Sequence, residues 1–382
     1  QVGKSTLIKH EFKYFNRANF DDRLTRMQAK EEPKLFLLNN PQPLFIDEVQ
    51  KESSILEDIK QIVDESDERG MFLLSGSQKL ELIKGMSESL AGRVSISELT
   101  GLSMREIYGV KFNRHFIPTD AYIKEREKEI VKYDNIWEII HKGSYPELYD
   151  IDRDWQEYYS SYVATYLERD INELVAADGI TFTKFLTAVA ARTGELLNYS
   201  NIAGDVGVSE PTIKNWISIL ERTGIVYLLQ PYSASALKRA IKTPKLYFRD
   251  TGLACYLTRW LTADTLKCSA VAGNMFETFV VSEILKSYSN EGKDYRFNIF
   301  YYRGKDRNAS GENEIDLVIE EDGVLYPVEI KMSGNPKASM GATNQVLDKV
   351  SDKKRGLGVI LCLIDKKTYL RENLVALPIE FI

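Results

Sequence analysis

Residues 44–48 have the sequence LFIDE, in which three large apolar residues are followed directly by two carboxylates. A short run of this kind is typical of a strand buried on both faces, with the acids at its carboxyl end. A second apolar run, MFLLS, follows at residues 71–75. Between the two, residues 53–66 place apolar side chains at helical spacing, namely Leu56, Ile59, Ile62 and Val63. Strands that alternate with helices predict an α/β fold with a parallel sheet.

The first residues of the chain contain a motif that gives the two acids a partner. Residues 3–6 read GKST and lead at once into a predicted amphipathic helix over residues 7–14. Gly-Lys-Ser at the start of a helix is the second half of a P-loop, in which backbone amides and the helix dipole hold phosphates. The first glycine of that pattern would lie before residue 1. The sequence therefore predicts ATP as a cofactor, together with Mg²⁺.

Each residue of this motif has a predicted role. The residues expected to bind the nucleotide are those of the GKST run: Gly3, Lys4, Ser5 and Thr6. Lys4 would reach the β and γ oxygens, and Ser5 would be a ligand of Mg²⁺. Asp47 would also hold Mg²⁺, partly through water, while Glu48 would polarise the attacking water as a catalytic residue. The alternative is a strand that ends in solvated acids.

Two further residues are candidates for phosphate contact. Residues 73–78 read LLSGSQ, a strand that runs into a polar glycine turn, and this turn could place Ser77 near the γ-phosphate. An ordinary turn at the end of a strand explains the same residues. Arg93 ends the run LAGR at residues 90–93 and is either a second γ-phosphate ligand or a surface arginine.

The composition excludes several classes of protein. With 382 residues, 43% of them hydrophobic and 28% charged, the chain is globular and long enough for two or three domains of roughly 100–200 residues each. The net charge of −6 excludes a uniformly basic nucleic-acid coat. Three scattered cysteines and three isolated histidines argue against a disulfide framework and against a Cys/His zinc site. No apolar run approaches the roughly 18 residues of a membrane span, so we expect a cytoplasmic protein without a membrane partner.

The middle of the chain is basic within an otherwise acidic protein. Residues 181–260 hold ten Lys or Arg and five Asp or Glu, a net charge of +5. Residues 201–224 predict two helices separated by Gly207, and a predicted β-hairpin completes a winged helix-turn-helix. Side chains placed to contact DNA are Thr212, Lys214, Asn215 and Ser218 on the second helix and Lys238, Arg239, Lys242 and Lys245 in the wing. The alternative is a module that only packs or binds protein.

A second acidic constellation lies near the end of the chain. Residues 314–318 (EIDLV) and 325–331 (LYPVEIK) are alternating runs on either side of an Asp-Gly pair, which predicts a hairpin. Side chains two apart share a face, so Glu329 and Lys331 project together, and Asp316 can join them from the neighbouring strand. With Glu277 from the preceding helix, the acids form a predicted Mg²⁺ site. In it Asp316, Glu329 and Lys331 carry out phosphodiester hydrolysis. Charged pairs on an exposed hairpin face are the alternative.

With these residues assembled, the chain resembles the bacterial and archaeal AAA-type ATP-binding proteins with a winged helix and a restriction-endonuclease-like (PD-(D/E)xK) C-terminal domain. The resemblance rests on these landmarks: GKST at 3–6, LFIDEVQ at 44–50, LLSGSQ at 73–78, LAGR at 90–93, GSYPEL at 143–148, TYLERD at 165–170, the helix pair at 201–224, FET at 276–278, EID at 314–316 and PVEIK at 327–331. It implies ATP binding at residues 3–6 with Asp47 and Glu48 as the acids. It also implies a nuclease-like core at Asp316, Glu329 and Lys331. The missing first half of the P-loop departs from the family pattern.

The resulting prediction has four segments. Residues 1–115 form an AAA-type P-loop ATPase domain, 116–180 a helical lid or linker, 181–260 a winged helix-turn-helix, and 271–382 a nuclease-like domain. The predicted function is an ATPase switch domain coupled through a winged helix to a nuclease-like domain that acts on or near DNA, with double-stranded DNA as the candidate partner. One rival is an ATP-dependent regulator with an inert nuclease fold, and another is an ATPase scaffold that contacts no nucleic acid. The oligomeric state stays open.

Overall fold

The computed structural model describes residues 2–76, 90–150, 152–166, 178–233, 243–305 and 312–382. The chain forms two compact units, residues 1–99 and residues 100–382. The first unit therefore ends somewhat before residue 115. The division of the second unit into segments 116–180, 181–260 and 271–382 stays a prediction. In the part of the chain that the structure describes, no helix combines the length and the apolar composition needed to cross a bilayer.

The first unit contains a parallel sheet, as the alternation of strands and helices predicts. Its strands, which pair in chain order, are β1 (Asn16–Asn19), β2 (Leu44–Asp47) and β3 (Phe72–Leu74). Among the described residues, its α-helices are α1 (Lys4–Glu11), α2 (Arg23–Glu31), α3 (Pro33–Asn39) and α4 (Ile55–Asp64). Every residue of β2 is buried, and apolar residues of β2, α3 and α4 share one core. Helix α1 begins at Lys4, earlier than predicted, and none of its residues is fully buried.

The second unit begins with a helical region. Its helices up to residue 267 are α5 (Met104–Ile107), α6 (Asp120–Arg126), α7 (Ile136–Lys142), α8 (Glu147–Asp150), α9 (Trp155–Tyr162), α10 (Gly179–Ala190), α11 (Tyr199–Val206), α12 (Glu210–Arg222), α13 (Thr251–Leu257) and α14 (Ala263–Lys267). Many of these helices begin at a side-chain cap. Ser209 accepts a hydrogen bond from the backbone of Thr212 at the start of α12.

A small antiparallel sheet accompanies helices α11 and α12. Its strands are β4 (Glu195–Leu196), β5 (Val226–Leu229) and β6 (Lys245–Phe248), with β6 in the centre. Helix α11 ends at Gly207, whose φ of 85° lies in the left-handed region that glycine adopts without strain. The apolar face of α12 is buried as predicted, through Ile213, Trp216, Ile217 and Leu220. Both helices are therefore present where the sequence predicts them.

The C-terminal part is a long helix and a seven-stranded mixed sheet. The helix is α15 (Ala272–Asn290), and the strands are β7 (Ile299–Lys305), β8 (Glu312–Glu321), β9 (Val324–Lys331), β10 (Lys354–Arg355), β11 (Gly358–Cys362), β12 (Thr368–Arg371) and β13 (Leu374–Pro378). The strand order is β12-β13-β11-β9-β8-β7, and β10 pairs with β9. Strands β8 and β9 form the predicted hairpin, with Asp322 and Gly323 both at positive φ in its turn.

Candidate functional site

Helix α1 presents an open N-terminus at the GKST motif. Gly3 precedes the helix with φ 81° and ψ 21°, a conformation that glycine adopts without steric cost. Among the described residues, no side chain caps the helix at this end. The first backbone N–H groups of a helix lack partners within the helix and carry the positive end of its dipole. This end of α1 is therefore suited to an anionic group such as phosphate.

The side chains of Asp47 and Lys4 meet the carboxyl ends of the neighbouring strands β2 and β3, Asp47 as the last residue of β2 and Lys4 by reaching from α1. Asp47 is the last residue of β2 and is only 6% exposed, and its Oδ1 accepts a hydrogen bond from Ser75 Oγ just beyond β3. The Nζ of Lys4 donates to the carbonyl oxygen of Gly76. Burial lowers the pKa of Lys4, while the negative charges of Glu48 and Asp47 oppose that shift. The structure thus brings the predicted lysine and both predicted acids into one electrostatic neighbourhood.

Glu48 has a backbone conformation that is unusual for a glutamate. Its φ of 56° and ψ of 41° lie in the left-handed region, which costs a residue other than glycine roughly 1–2 kcal/mol. Gln50 Nε2 donates to Glu48 Oε2 at 2.5 Å and helps to fix the carboxylate just beyond β2. Backbone strain of this kind is concentrated at functional sites. The observation supports a specific role for Glu48 at the end of the strand.

The remaining predicted nucleotide residues differ in their positions. Ser5 is half-buried in the first turn of α1, and Thr6 is exposed. Ser77 lies outside the described residues. Arg93 forms an ion pair with Asp64, the last residue of α4, and its Nη1 donates to the carbonyl of Ala91 at 3.2 Å. Because α4 leads from β2 back to the start of β3, the structure does not bring Arg93 to Lys4 and Asp47.

The donor set of this site fits a nucleotide with Mg²⁺. An open helix N-terminus and a desolvated lysine suit a triphosphate, and the Ser5 hydroxyl and the buried Asp47 carboxylate are oxygen ligands of the kind that Mg²⁺ takes. Lys4, Ser5 and Asp47 would hold the nucleotide and its Mg²⁺, and the assignment of positions 3–6 and 47 as nucleotide ligands stays a prediction.

In the second unit, the hairpin of β8 and β9 brings two acids and a lysine together. The strand register pairs Leu317 with Val328, which places Asp316 opposite Glu329. Lys331 Nζ lies 2.6 Å from Asp316 Oδ2 and 2.8 Å from Glu329 Oε2. The backbone N–H of Ile330 also donates to Asp316 Oδ2, at 2.8 Å. The predicted constellation is therefore present, with the ammonium group between the two carboxylates.

Burial gives Glu329 unusual properties. Both acids are buried, with 8% of Asp316 and 3% of Glu329 exposed. Burial and the negative charge of Asp316 raise the pKa of Glu329 to about 8, against the opposing effect of Lys331. Burial alone would lower the pKa of Lys331, but the two carboxylates raise it above its ordinary value. Glu329 Oε1 has no hydrogen-bond partner among the described residues.

Glu277 reaches the edge of this cluster from helix α15. Its Oε1 accepts from Tyr247 Oη at 2.6 Å and from Lys245 Nζ at 3.2 Å, and both donors belong to β6. Burial and the charge of Asp316 raise the pKa of Glu277. Lys245 Nζ also pairs with Glu314 Oε1 at 2.6 Å. The charge of Asp316 thus acts on Glu277, but Glu277 is paired with Lys245 and not with Lys331.

The predicted three-acid metal centre is not assembled in this structure. No three His, Cys, Asp or Glu side chains within the described ranges converge closely enough to hold a metal ion. Asp316 and Glu329 together, with the unpartnered Glu329 Oε1, fit two carboxylate ligands of a hard divalent cation. Glu277 does not complete that set here, because its carboxylate is held by Lys245 and Tyr247.

The basic middle segment is only partly as predicted. Lys214 is exposed on α12 and pairs with Glu210 at 2.8 Å, and Asn215 is exposed beside it. Thr212 and Ser218 are half-buried on the same helix. The wing residues Lys238, Arg239 and Lys242 lie outside the described residues. For Lys245 the prediction of an exposed phosphate contact is wrong, since it is 4% exposed and its Nζ is paired with Glu277 and Glu314.

Sequence reasoning also missed two features, of which a period-two pattern could have revealed only the first. Lys245 and Tyr247 are two residues apart in β6 and therefore share a face, the one that meets Glu277. A further buried acid, Asp250, caps α13 and accepts from Ser144 Oγ and Tyr159 Oη, each at 2.7 Å. Because Asp250 accepts hydrogen bonds from Ser144, the GSYPEL run at residues 143–148 has a structural role in this packing.

Comparison with known families agrees with the geometry of the first unit. Residues 1–108 match the model of an AAA domain, residues 133–264 match a domain of unknown function (DUF8612), and residues 272–382 match another domain of unknown function (DUF4143). The matches at the two ends support an AAA-type ATPase, a class that hydrolyses nucleotides and uses ATP, typically with Mg²⁺.

Individual proteins extend the similarity to most of the chain. Uncharacterized protein Rv2008c of Mycobacterium tuberculosis and uncharacterized protein Mb2031c of Mycobacterium bovis are each 27% identical over 355 residues, which cover 91% of this chain and 72% of the relative. Neither name states an activity. The crystal structure of protein VC1899 from Vibrio cholerae aligns over 92% of this chain and 76% of its own, with 9% identity and a TM-score of 0.19. That score is too low to indicate a shared fold.

Proposed function

We propose that the first unit binds and hydrolyses ATP with Mg²⁺ at the carboxyl ends of β2 and β3. One observation carries the proposal: Lys4 Nζ bonds to Gly76 beyond β3, and Asp47 at the end of β2 bonds to Ser75, so the two halves of the predicted site meet. In open parallel sheets, ligands bind outside the carboxyl ends of the strands. The AAA match over residues 1–108 supports the same assignment.

The residues divide the work of phosphoryl transfer among them. The amides at the start of α1 and the ammonium of Lys4 bind and orient the phosphates, while Ser5 and Asp47 supply oxygen ligands. Bound Mg²⁺ supplies neutralisation of the developing phosphate charge. Glu48, fixed by its backbone conformation and by Gln50, orients and polarises the attacking water. Desolvation around Lys4 strengthens its attraction to phosphate oxygens.

Steady-state ATP hydrolysis by the full-length protein tests this division of roles. Glu48→Gln should lower turnover by on the order of 100-fold or more, because a positioned general base contributes that much, while ATP binding is retained. Glu57→Gln, an exposed acid on α4, is the matched control and should hydrolyse ATP normally. Undiminished turnover in Glu48→Gln would remove Glu48 from the mechanism.

The second candidate function is metal-dependent phosphodiester hydrolysis on DNA by the cluster of Asp316, Glu329 and Lys331. The favouring observation is that Glu329 Oε1 is buried beside a second carboxylate and a lysine and has no hydrogen-bond partner in the described part of the chain. Plasmid nicking with Mg²⁺ or Mn²⁺ tests it. Lys331→Ala should abolish nicking, and Lys337→Ala, an exposed lysine nearby in the sequence, should not.

Coupling between the two activities completes the proposal. Helices α11 and α12 with the basic middle segment would contact double-stranded DNA, and ATP hydrolysis would control the C-terminal cluster. If nicking by Glu48→Gln equals that of the wild type with and without ATP, the two sites act independently. If Lys331→Ala changes nothing because no nicking occurs, the regulator with an inert nuclease-like domain is the better account.

A further inference from the structure

Strand β6 carries two polar side chains in a fully buried setting. All four of its residues are buried, and the side chain of Lys245 is only 5% exposed. A buried ammonium is unfavourable unless charged partners compensate for its lost hydration. Those partners are therefore the reason that a lysine can occupy this position in a strand otherwise formed by Leu246, Tyr247 and Phe248.

The partners of Lys245 are two carboxylates from the C-terminal part of the chain. Its Nζ lies 2.6 Å from Glu314 Oε1 on β8 and 3.2 Å from Glu277 Oε1 on α15. Tyr247 Oη donates to the same Glu277 oxygen at 2.6 Å. Lys245 and Tyr247 thus hold the Glu277 carboxylate from one side.

The position of β6 relative to Glu277 is fixed by a chain of buried hydrogen bonds. Thr278, the residue after Glu277, has its Oγ1 2.9 Å from Thr193 Oγ1. Thr193 Oγ1 in turn accepts from the backbone N–H of Phe248 at 3.0 Å. On the other side, Tyr301 of β7 donates to the carbonyl of Thr243, just before β6. The contact between Lys245 and Glu277 is therefore built into the packing of β6.

Glu277, Glu314, Asp316 and Glu329, with the two lysines between them, are called the acidic cluster below. Each lysine bridges two of these carboxylates. Lys245 joins Glu277 to Glu314, and Lys331 joins Asp316 to Glu329. When all are ionised, these four carboxylates outnumber the two ammonium groups that bridge them. Glu329 Oε1 also lacks a partner among the described residues. In this arrangement the lysines stand where a divalent cation would otherwise balance the acids.

We propose that Lys245 is an internal counter-ion that regulates divalent-cation binding by withholding Glu277 from the Asp316–Glu329 pair. The inference rests on the proposed metal-binding role of that pair and adds that Lys245 limits the affinity of the site for the cation. With Lys245 in place, two carboxylates serve as ligands; without its charge, Glu277 becomes the third. Removal of the Lys245 charge therefore raises the affinity for the cation.

Calorimetric titration of the full-length protein with Mn²⁺ in metal-free buffer tests this control. Lys245→Met should bind Mn²⁺ at least about tenfold more tightly than the wild type, because a third carboxylate joins the site. Lys245→Arg keeps the charge and should bind like the wild type. Lys214→Met removes an exposed lysine that also pairs with a glutamate and is the matched control. The double variant Lys245→Met, Glu277→Gln should bind Mn²⁺ no more tightly than the wild type.

Tyr247→Phe gives a second, nearly isosteric probe that removes only one hydrogen bond to Glu277. It should tighten Mn²⁺ binding about threefold, a smaller gain than that of Lys245→Met. If the wild type binds Mn²⁺ through Asp316 but neither variant binds it more tightly, the inference is overturned and the proposed metal site stands. If Mn²⁺ binds to none of these proteins, both the proposed metal site and the proposed effect of Lys245 on it are excluded.

Discussion

Asp316 and Glu329 acquire through the fold a chemistry that neither has alone. The hairpin places them opposite each other in a buried setting, and burial next to Asp316 raises the pKa of Glu329 to about 8. Two buried carboxylates at close range repel each other unless a cation or a proton intervenes. Lys331 supplies that cation in the structure. The same property supports the proposed role of the pair as metal ligands.

Neutralising both acids is the direct test of the pair as ligands. The Asp316→Asn, Glu329→Gln double variant should lose Mn²⁺ binding in a titration of the full-length protein, because both carboxylate charges are removed. The Asp264→Asn, Glu372→Gln double variant neutralises two exposed acids and should bind Mn²⁺ like the wild type. Unchanged Mn²⁺ affinity in the first variant would exclude the site, and the nuclease proposal with it.

His141 provides a prediction about pH that is independent of either site. Its ring stacks on Trp155 with centroids 4.3 Å apart, and its Nε2 lies 2.7 Å from the carbonyl oxygen of Trp260. Burial lowers the pKa of His141 below 6.5, against the opposing effect of that hydrogen bond. The folded state therefore binds this proton less readily than the unfolded state, so the His141 contribution to stability is lost as the pH falls below about 6.5.

An NMR titration of the three histidines can check this direction. The His141 signal, assigned by its loss in His141→Gln, should titrate with a midpoint below 6.5. The free energy of unfolding should also fall less steeply on acidification in His141→Gln than in the wild type. A midpoint at or above 6.5 would contradict the predicted effect of burial.

At the scale of elements, the middle segment combines an exposed helix with a buried strand. Helix α12 buries its apolar face and leaves Lys214 and Asn215 exposed, so both side chains are accessible to the DNA contact proposed above. Strand β6 instead directs Lys245 into the acidic cluster. The +5 charge of residues 181–260 therefore overstates the charge available to a nucleic acid.

Charge reversal in the predicted wing tests DNA binding by this segment. Lys238→Glu with Arg239→Glu should weaken binding to all DNA sequences alike and reduce its dependence on salt, because fewer phosphate contacts release counterions. Reversal of Lys30 and Lys34, exposed lysines of the first unit, makes the same change in net charge as a control. If gel-shift isotherms of the two double variants coincide with that of the wild type, the wing is not the DNA surface.

The sequence predicted correctly those strands and turns whose formation depends mainly on neighbouring residues. The apolar runs of β2 and β3 and the Asp-Gly turn between β8 and β9 carry strand and hairpin signals that need no distant partner. Strand β1 (NRAN) has no apolar run, and its pairing with β2 supplies the missing information. The burial of Lys245 depends on acids more than 30 residues away in sequence, so spacing within β6 could not show that it was paired.

At the scale of the whole molecule, the two proposed chemistries belong to different compact units. Residues 1–99 contain the sheet, the helix N-terminus and the acids of the nucleotide site. Residues 100–382 contain α12, β6 and all six charged residues of the acidic cluster. Each site can therefore be disabled without a substitution in the other unit, which allows the coupling proposed above to be measured.

The central claim is that the first unit binds ATP with Mg²⁺ through Lys4, and calorimetric titration of the full-length protein tests it most directly. Lys4→Ala should bind ATP about tenfold to a hundredfold more weakly than the wild type, since a hydrogen bond to a charged group contributes roughly 1.5–3 kcal/mol. Lys13→Ala, an exposed lysine just beyond α1, should bind normally. Equal ATP affinity in Lys4→Ala and the wild type would contradict the assignment of the nucleotide site.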